Sequence, residues 1–231
     1  MLTYFKIHKL SCAFLHKSSV LSAYIYAPNQ HSENLENMTH HLQHNMRPWC
    51  LRGEVIHGHG RGGTQLGYPT ANIKLDEATV KSLTPYAETV MFGWGCIEPE
   101  VTSEGTGDAG TKPTETQIKG EHLGPFPMAL SVGTNIHFKE TTLSAEAHFL
   151  HVFPENFYGR IIRIIALDIV RVQTSFDSLE ALIAAIDNDI MKINAELAKP
   201  EHEKYQKHEL MLPYSKLTQD MMAHLPHFTE I

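Results

Sequence analysis

The chain has 231 residues, 42% of them apolar, and a formal net charge of −7. That length can bury one good core, while the acidic balance excludes a surface built to neutralise a nucleic-acid backbone. The three cysteines Cys12, Cys50 and Cys96 form no C-x-x-C pair, which excludes a disulfide framework and a zinc ribbon and fits a reducing compartment.

Residues 1–46 differ from the rest. Before Glu33 the chain carries Lys6, Lys9 and Lys17, no acidic residue, several serines and scattered apolar positions such as Leu2, Phe5, Leu10 and Phe14. That is the composition of an organellar transit peptide, although no arginine precedes Arg47; a disordered extension without function fits equally well. The expectation is a cytoplasmic protein, with mitochondrial or other organellar targeting by this extension as the alternative. No apolar run approaches the ~20 residues needed to span a bilayer. His40, His41 and His44 read as a solvated tract, and no histidine-bound metal is expected anywhere in the chain.

Strands are expected over 52–57, Thr89–Ile97, 128–132, 144–152 and 161–172, all alternating or β-rich runs bounded by Gly, Pro and Asn. After the first strand comes a glycine-dense loop. Gly58, Gly60, Gly62 and Gly63 permit positive φ and carry no side chains, so successive N–H groups can face one concavity and cradle a phosphate. Gly58-x-Gly60-x-x-Gly63 matches the dinucleotide fingerprint in letters, but Gly67-Tyr68-Pro69 disfavours the helix that motif requires. A P-loop is absent, since Thr64 and not Lys follows Gly63. Further on, Thr70 and Asn72 are two residues apart in an extended segment. Both side-chain oxygens therefore fall on one side, as a hard cation bridging phosphates requires.

A polar tract over 98–127 reads as a solvated insertion. In the strand after it, alternation puts Ala145, Ala147 and Phe149 on one face and Glu146, His148 and Leu150 on the other. Glu146 is a candidate general base, with small neighbours that leave room for a substrate. His148 and His151 are expected on opposite faces of the same strand. A capping box at Asp177-Ser178-Leu179-Glu180 then opens a helix whose stripe Leu179, Leu182, Ile183, Ile186, Ile190, Ile193 and Leu197 should pack on the core until Pro200 ends it. Residues 201–231 read as a tail.

Taken together, Leu66-Gly67-Tyr68-Pro69-Thr70-Ala71-Asn72, Phe92-Gly93-Trp94, Ser131-Val132-Gly133-Thr134-Asn135, the strand centred on Glu146, Phe157-Tyr158-Gly159 and Phe176-Asp177-Ser178-Leu179-Glu180 resemble riboflavin kinase of the eukaryotic, single-function type. The resemblance spans about 47–200. It implies a mainly β fold, a six-stranded antiparallel Greek-key barrel with a C-terminal α-helix, that phosphorylates the riboflavin 5′-hydroxyl with ATP and a divalent metal, Mg²⁺ or else Zn²⁺ or Mn²⁺. It assigns Gly58, Gly60, Arg61, Gly62 and Thr64 to ATP, Thr70 and Asn72 to metal and nucleotide, and Phe149, His151 and Tyr158 to the nucleotide side. Glu146 takes the catalytic position, and Arg171, Thr174 and Phe176 fall with it on the flavin side. A monomer that binds riboflavin and ATP, and neither nucleic acid nor membrane, is expected.

The chain departs from the family where Thr64 replaces a basic residue, where Thr89-Val90-Met91-Phe92-Gly93-Trp94 replaces Gly-x-Tyr-Tyr-Gly-Trp, and at Ile136. It departs again where Arg171-Val172-Gln173 replaces Arg-Pro-Glu and where a lysine near Thr174 is missing. Among these changes the loss of two cations near the ligands, at 64 and near 174, implies a working kinase with weaker ligand binding. They also motivate a second reading, a barrel that binds flavin or nucleotide without turnover.

Overall fold

The computed structural model describes residues 46–58, 66–99, 123–135, 142–212 and 228–231. Gly60, Arg61, Gly62 and Thr64, the extension before Met46 and most of the polar tract lie outside these residues.

Six antiparallel strands close a barrel: β1 (Trp49–Ile56), β2 (Ala71–Ile73), β3 (Thr89–Ile97), β4 (Phe126–Asn135), β5 (Thr142–Phe149) and β6 (Ile161–Val172). Neighbours run β2, β5, β4, β3, β6, β1, and pairing of Val55 and Ile56 with Ile73 and Asn72 returns β1 to β2. Two strands, β3 and β6, have the bounds expected from sequence; β4 extends beyond its own at both ends, and β1 starts three residues earlier than expected and ends one residue earlier, at Ile56. β5 is shorter than expected, ending at Phe149 rather than 152. The cause is Pro127, the next partner on β4. Leu150 N–H donates to its carbonyl at 2.8 Å, but proline has no N–H to return, so the ladder stops.

Strand alternation separates two cores. Leu51, Val55, Met91, Met128, Leu130, Ala145, Ala147, Ile162 and Ile164 fill the barrel interior. On the outer wall, Phe92, Trp94, Cys96, Ile165 and Leu167 pack under the C-terminal elements. Every residue of β3 is consequently buried, as a strand covered on both sides must be. Gly93 sits where β3 and β6 shift register: a Cβ there would lie 1.8 Å from the Ile165 carbonyl oxygen, so only glycine fits.

A short helix, α1 (Glu77–Leu83), capped by Asp76, leads from β2 toward β3. The long C-terminal helix, α2 (Leu179–Leu197), begins one residue later than the expected capping box. Its cap is Ser178, whose Oγ accepts from Ala181 N–H at 3.1 Å, and not Asp177. Of the expected stripe only Ile193 and Leu197 are fully buried, against the outer wall. Leu182, Ile183, Ile186 and Ile190 are half-buried as α2 passes over β4, β3 and β6.

Residues after Pro200, which the sequence leaves as a tail, continue the fold. Helix α3 (Pro200–Glu203) and two 3₁₀ turns, Lys204–Lys207 and Glu209–Met211, bring Leu210 and Met211 into the outer core. Trp94 Nε1 donates to the His202 carbonyl at 3.1 Å. The last strand, β7 (Phe228–Glu230), pairs with Trp49, Cys50 and Leu51 on the edge of β1 that β2 leaves open. The polar tract also narrows at its ends: Glu98 is buried and Leu123 belongs to the interior core.

Candidate active site

Register fixes the site. Asn72 pairs with Glu146, Glu146 with Ser131, Ser131 with Val90 and Val90 with Arg171, so a single row crosses β2, β5, β4, β3 and β6. The residues flanking this row on β2 and β5, namely Ala71, Ile73, Ala145 and Ala147, are buried in the barrel. Asn72 and Glu146 therefore face outward on adjacent strands. The small residues beside Glu146 point into the core and do not make room for a substrate; its outward neighbours are polar. Strands ~4.8 Å apart put Arg171 about 14 Å from Glu146 along the wall.

Thr70 Oγ1 donates to Glu146 Oε2 at 3.1 Å. A threonine hydroxyl has one hydrogen and two lone pairs, so this bond leaves the lone pairs as acceptors. On the other side, Asn72 lies against the backbone of Gly58. A Cβ on Gly58 would stand 2.2 Å from Asn72 Nδ2, so the loop approaches Asn72 as only glycine allows. Thr70, Asn72, Glu146 and Gly58 thus form one cluster. Among the described residues no three His, Cys, Asp or Glu side chains gather to hold an ion. Neutral oxygens beside a single carboxylate suit a hard cation such as Mg²⁺ that shares its coordination with phosphates.

The segment before Thr70 is held by groups not anticipated as functional. His148 Nδ1 lies 2.8 Å from the Pro69 carbonyl, which can only accept, so Nδ1 carries the proton. Burial lowers the pKa of this imidazole. Tyr68 donates to Asp187 Oδ1 on α2 at 2.6 Å.

A small pocket opens beside the cluster, lined by Pro69, Thr70, Phe149, His151, Phe157 and Tyr158 among others. The expected nucleotide-side residues Phe149, His151 and Tyr158 thus meet with Thr70. His151 is no longer on β5, which has ended, so it is not opposite His148 across a strand. Its ring stacks on Phe126 with centroids 3.8 Å apart. Phe149 packs edge-on against Phe153 and Phe157, and Tyr158 stacks on His57 at 3.7 Å.

Across the row, Arg171 Nε lies 2.8 Å from Asp189 Oδ2, its Nη1 donates to the Val172 carbonyl, and its guanidinium stands 5.6 Å from the centre of the Phe176 ring. Asp189 is buried, which raises its pKa against the opposing pull of Arg171. Thr174 is exposed just beyond β6. Gln173 Nε2 donates to Ser131 Oγ at 2.9 Å and to the carbonyls of Val132 and Thr89 at 3.1 and 3.2 Å. Sequence reasoning missed Asp189 and Gln173 as organisers of this end. The available signal was an acid at 189 amid the apolar positions 186, 190 and 193.

The "Riboflavin kinase" (Flavokinase) family model matches residues 45–197. The riboflavin kinase of Homo sapiens is 36% identical over 158 residues, covering 68% of this chain and 86% of the human one. That of Meyerozyma guilliermondii is 35% identical over 160 residues, with 67% and 86% covered. The crystal structure of riboflavin kinase from Trypanosoma brucei superposes with a TM-score of 0.58 at 32% identity, covering 81% of this chain and 99% of that one.

Proposed function

Since the chain belongs to the riboflavin kinase family and transfers a phosphoryl group from ATP to riboflavin, forming FMN and ADP, we propose that Glu146 is the general base of that transfer. The observation that carries this reading is the contact of Glu146 with Thr70 and its pairing with Asn72 at the edge of the pocket. A transfer of this kind needs alignment, neutralisation of phosphate charge and an acceptor for the hydroxyl proton. Glu146 is the carboxylate in the cluster and takes the proton from the riboflavin 5′-hydroxyl.

Thr70 and Asn72 hold Mg²⁺, or Zn²⁺ or Mn²⁺ in its place; when bound, the ion neutralises charge on the nucleotide phosphates. Gly58 and the loop that follows, with Gly60, Arg61, Gly62 and Thr64, receive ATP phosphates, and Phe149, His151 and Tyr158 contact the nucleotide. Riboflavin lies along the row toward Arg171, Thr174 and Phe176, under the half-buried apolar side chains of α2. The matches to named kinases disfavour the reading as a binding barrel without turnover. Among the described residues no helix is long and apolar enough to cross a membrane. A cytoplasmic monomer, with organellar targeting by residues 1–46 as the alternative, is part of the same reading.

Glu146→Gln tests the base. It should leave the fold and ADP binding intact and lower kcat for FMN formation by about 10²-fold or more. A folded variant that turns over near the wild-type rate would remove Glu146 from the mechanism.

A further inference from the structure

Residues 66–70 belong to no helix or strand, yet they carry Thr70. A segment without ladder hydrogen bonds takes its position from side-chain contacts. Three side chains outside the transfer machinery supply them. His148 Nδ1 donates to the Pro69 carbonyl at 2.8 Å, and the Tyr68 ring meets the His148 ring edge-on at 5.9 Å. Tyr68 in turn donates to Asp187 at 2.6 Å, across 119 positions of chain. Both supports are firm. His148 lies on β5, paired on both sides by β2 and β4. Asp187 lies on α2, which Arg171 holds through Asp189 two residues on, and which Ile193 and Leu197 anchor in the outer core.

We propose that Tyr68, His148 and Asp187 are positioning residues that clasp Pro69 between β5 and α2, so that the Thr70 hydroxyl stays on Glu146 with its lone pairs turned to the cation. Orientation of a neutral ligand by its partners is what a second layer of contacts contributes at metal sites. The clasp makes metal-assisted nucleotide binding depend on the helix that lies over the opposite end of the row. It rests on the reading of Thr70 as a metal ligand.

The test is calorimetric. The ratio of the ADP dissociation constant in EDTA to that in Mg²⁺ gives the enhancement due to metal. Tyr68→Phe and Asp187→Ala should each cut it about fivefold, within the net contribution of one ordinary hydrogen bond, and the double variant should lose no more, since both remove the same bond. His148→Leu should have a similar effect. His148→Asn should restore the enhancement, because its amide offers a donor near the position of Nδ1. Unchanged thermal midpoints for Tyr68→Phe and Asp187→Ala would place the loss at the site and not in the fold. Enhancements within about twofold of wild type, additive losses, or a His148→Asn variant no better than His148→Leu would overturn the clasp. Thr70→Val separates the two readings. If it leaves the enhancement unchanged, the metal-side reading fails and the clasp with it; if it removes the enhancement and Tyr68→Phe does not, the clasp alone fails.

Discussion

Arg163 is wholly buried on β6, and the carboxylate of Glu98 answers its charge. Arg52 grips that carboxylate through Nε and Nη2 at 2.7 and 2.9 Å, while Arg163 Nε lies 3.2 Å away without the alignment of a hydrogen bond. The Arg163 interaction is therefore mainly electrostatic. Glu98→Gln leaves the guanidinium in the interior without its counter-charge and should destabilise the protein by about 3–5 kcal/mol in urea unfolding. A loss below ~1 kcal/mol would show that the carboxylate is dispensable there. Residue 173 answers a different question, why glutamine stands where the resembled Arg-Pro-Glu motif would place glutamate. Its amide nitrogen donates to a hydroxyl and two carbonyls, and an ionised carboxylate could not donate to any of them. The departure is matched to its surroundings.

β1 and β3 flank β6 and place Cys50 and Cys96 in the outer core. Burial pushes the Cys50 thiol up to about 12, with Cys96 adding to it, and burial pushes Cys96 up to about 11. Both stay protonated in the folded protein while unfolded thiols ionise near 9. Their contribution to stability is thus complete below pH ~9 and lost as pH rises toward the folded values. With Cys12 replaced by serine, a thiolate-specific reagent at pH 8 should label neither remaining cysteine until denaturant is added. Fast labelling of the native protein would contradict this account of the outer core. The same strands illustrate what was legible. Near-continuous β-rich runs and flanking turns mark β3 and β6 to the residue, because strands covered on both sides are apolar along most of their length. The end of β5 was not legible, since it depends on Pro127 in a strand far away in sequence. Nor was the true cap of α2, because Asp177 and Ser178 are both good caps and geometry alone chose the serine. The site divides the same way: Thr70, Asn72 and Glu146 stand in local motifs, whereas Tyr68 with Asp187 and Arg171 with Asp189 are pairings made only by the fold.

The barrel of six strands and the cover over its outer wall belong together, and residues 46–231 contain both. A chain of that span with 100–122 replaced by a short glycine-containing turn should fold and phosphorylate riboflavin. Deleting 178–197 should instead uncover Phe92, Trp94, Ile165 and Leu167 and give an insoluble or molten product that binds hydrophobic dye. If the shortened chain unfolds while the helix deletion stays soluble and active, the division into barrel and covering helix is wrong.

Strand β7 lies along the beginning of β1, and the N–H of Ile231 donates to the Pro48 carbonyl at 2.8 Å, so the folded core enters and leaves at one place. From Trp49 the strand climbs to Ile56, and at ~3.3 Å per residue this puts roughly 23 Å between that doorway and the end of β1 that leads to Gly58, the proposed nucleotide side. Polypeptide attached at either end is carried away from the proposed nucleotide side. Joining 231 to 46 and opening the backbone between β3 and β4 should preserve every strand neighbour, since neither the new joint nor the new opening falls within a strand.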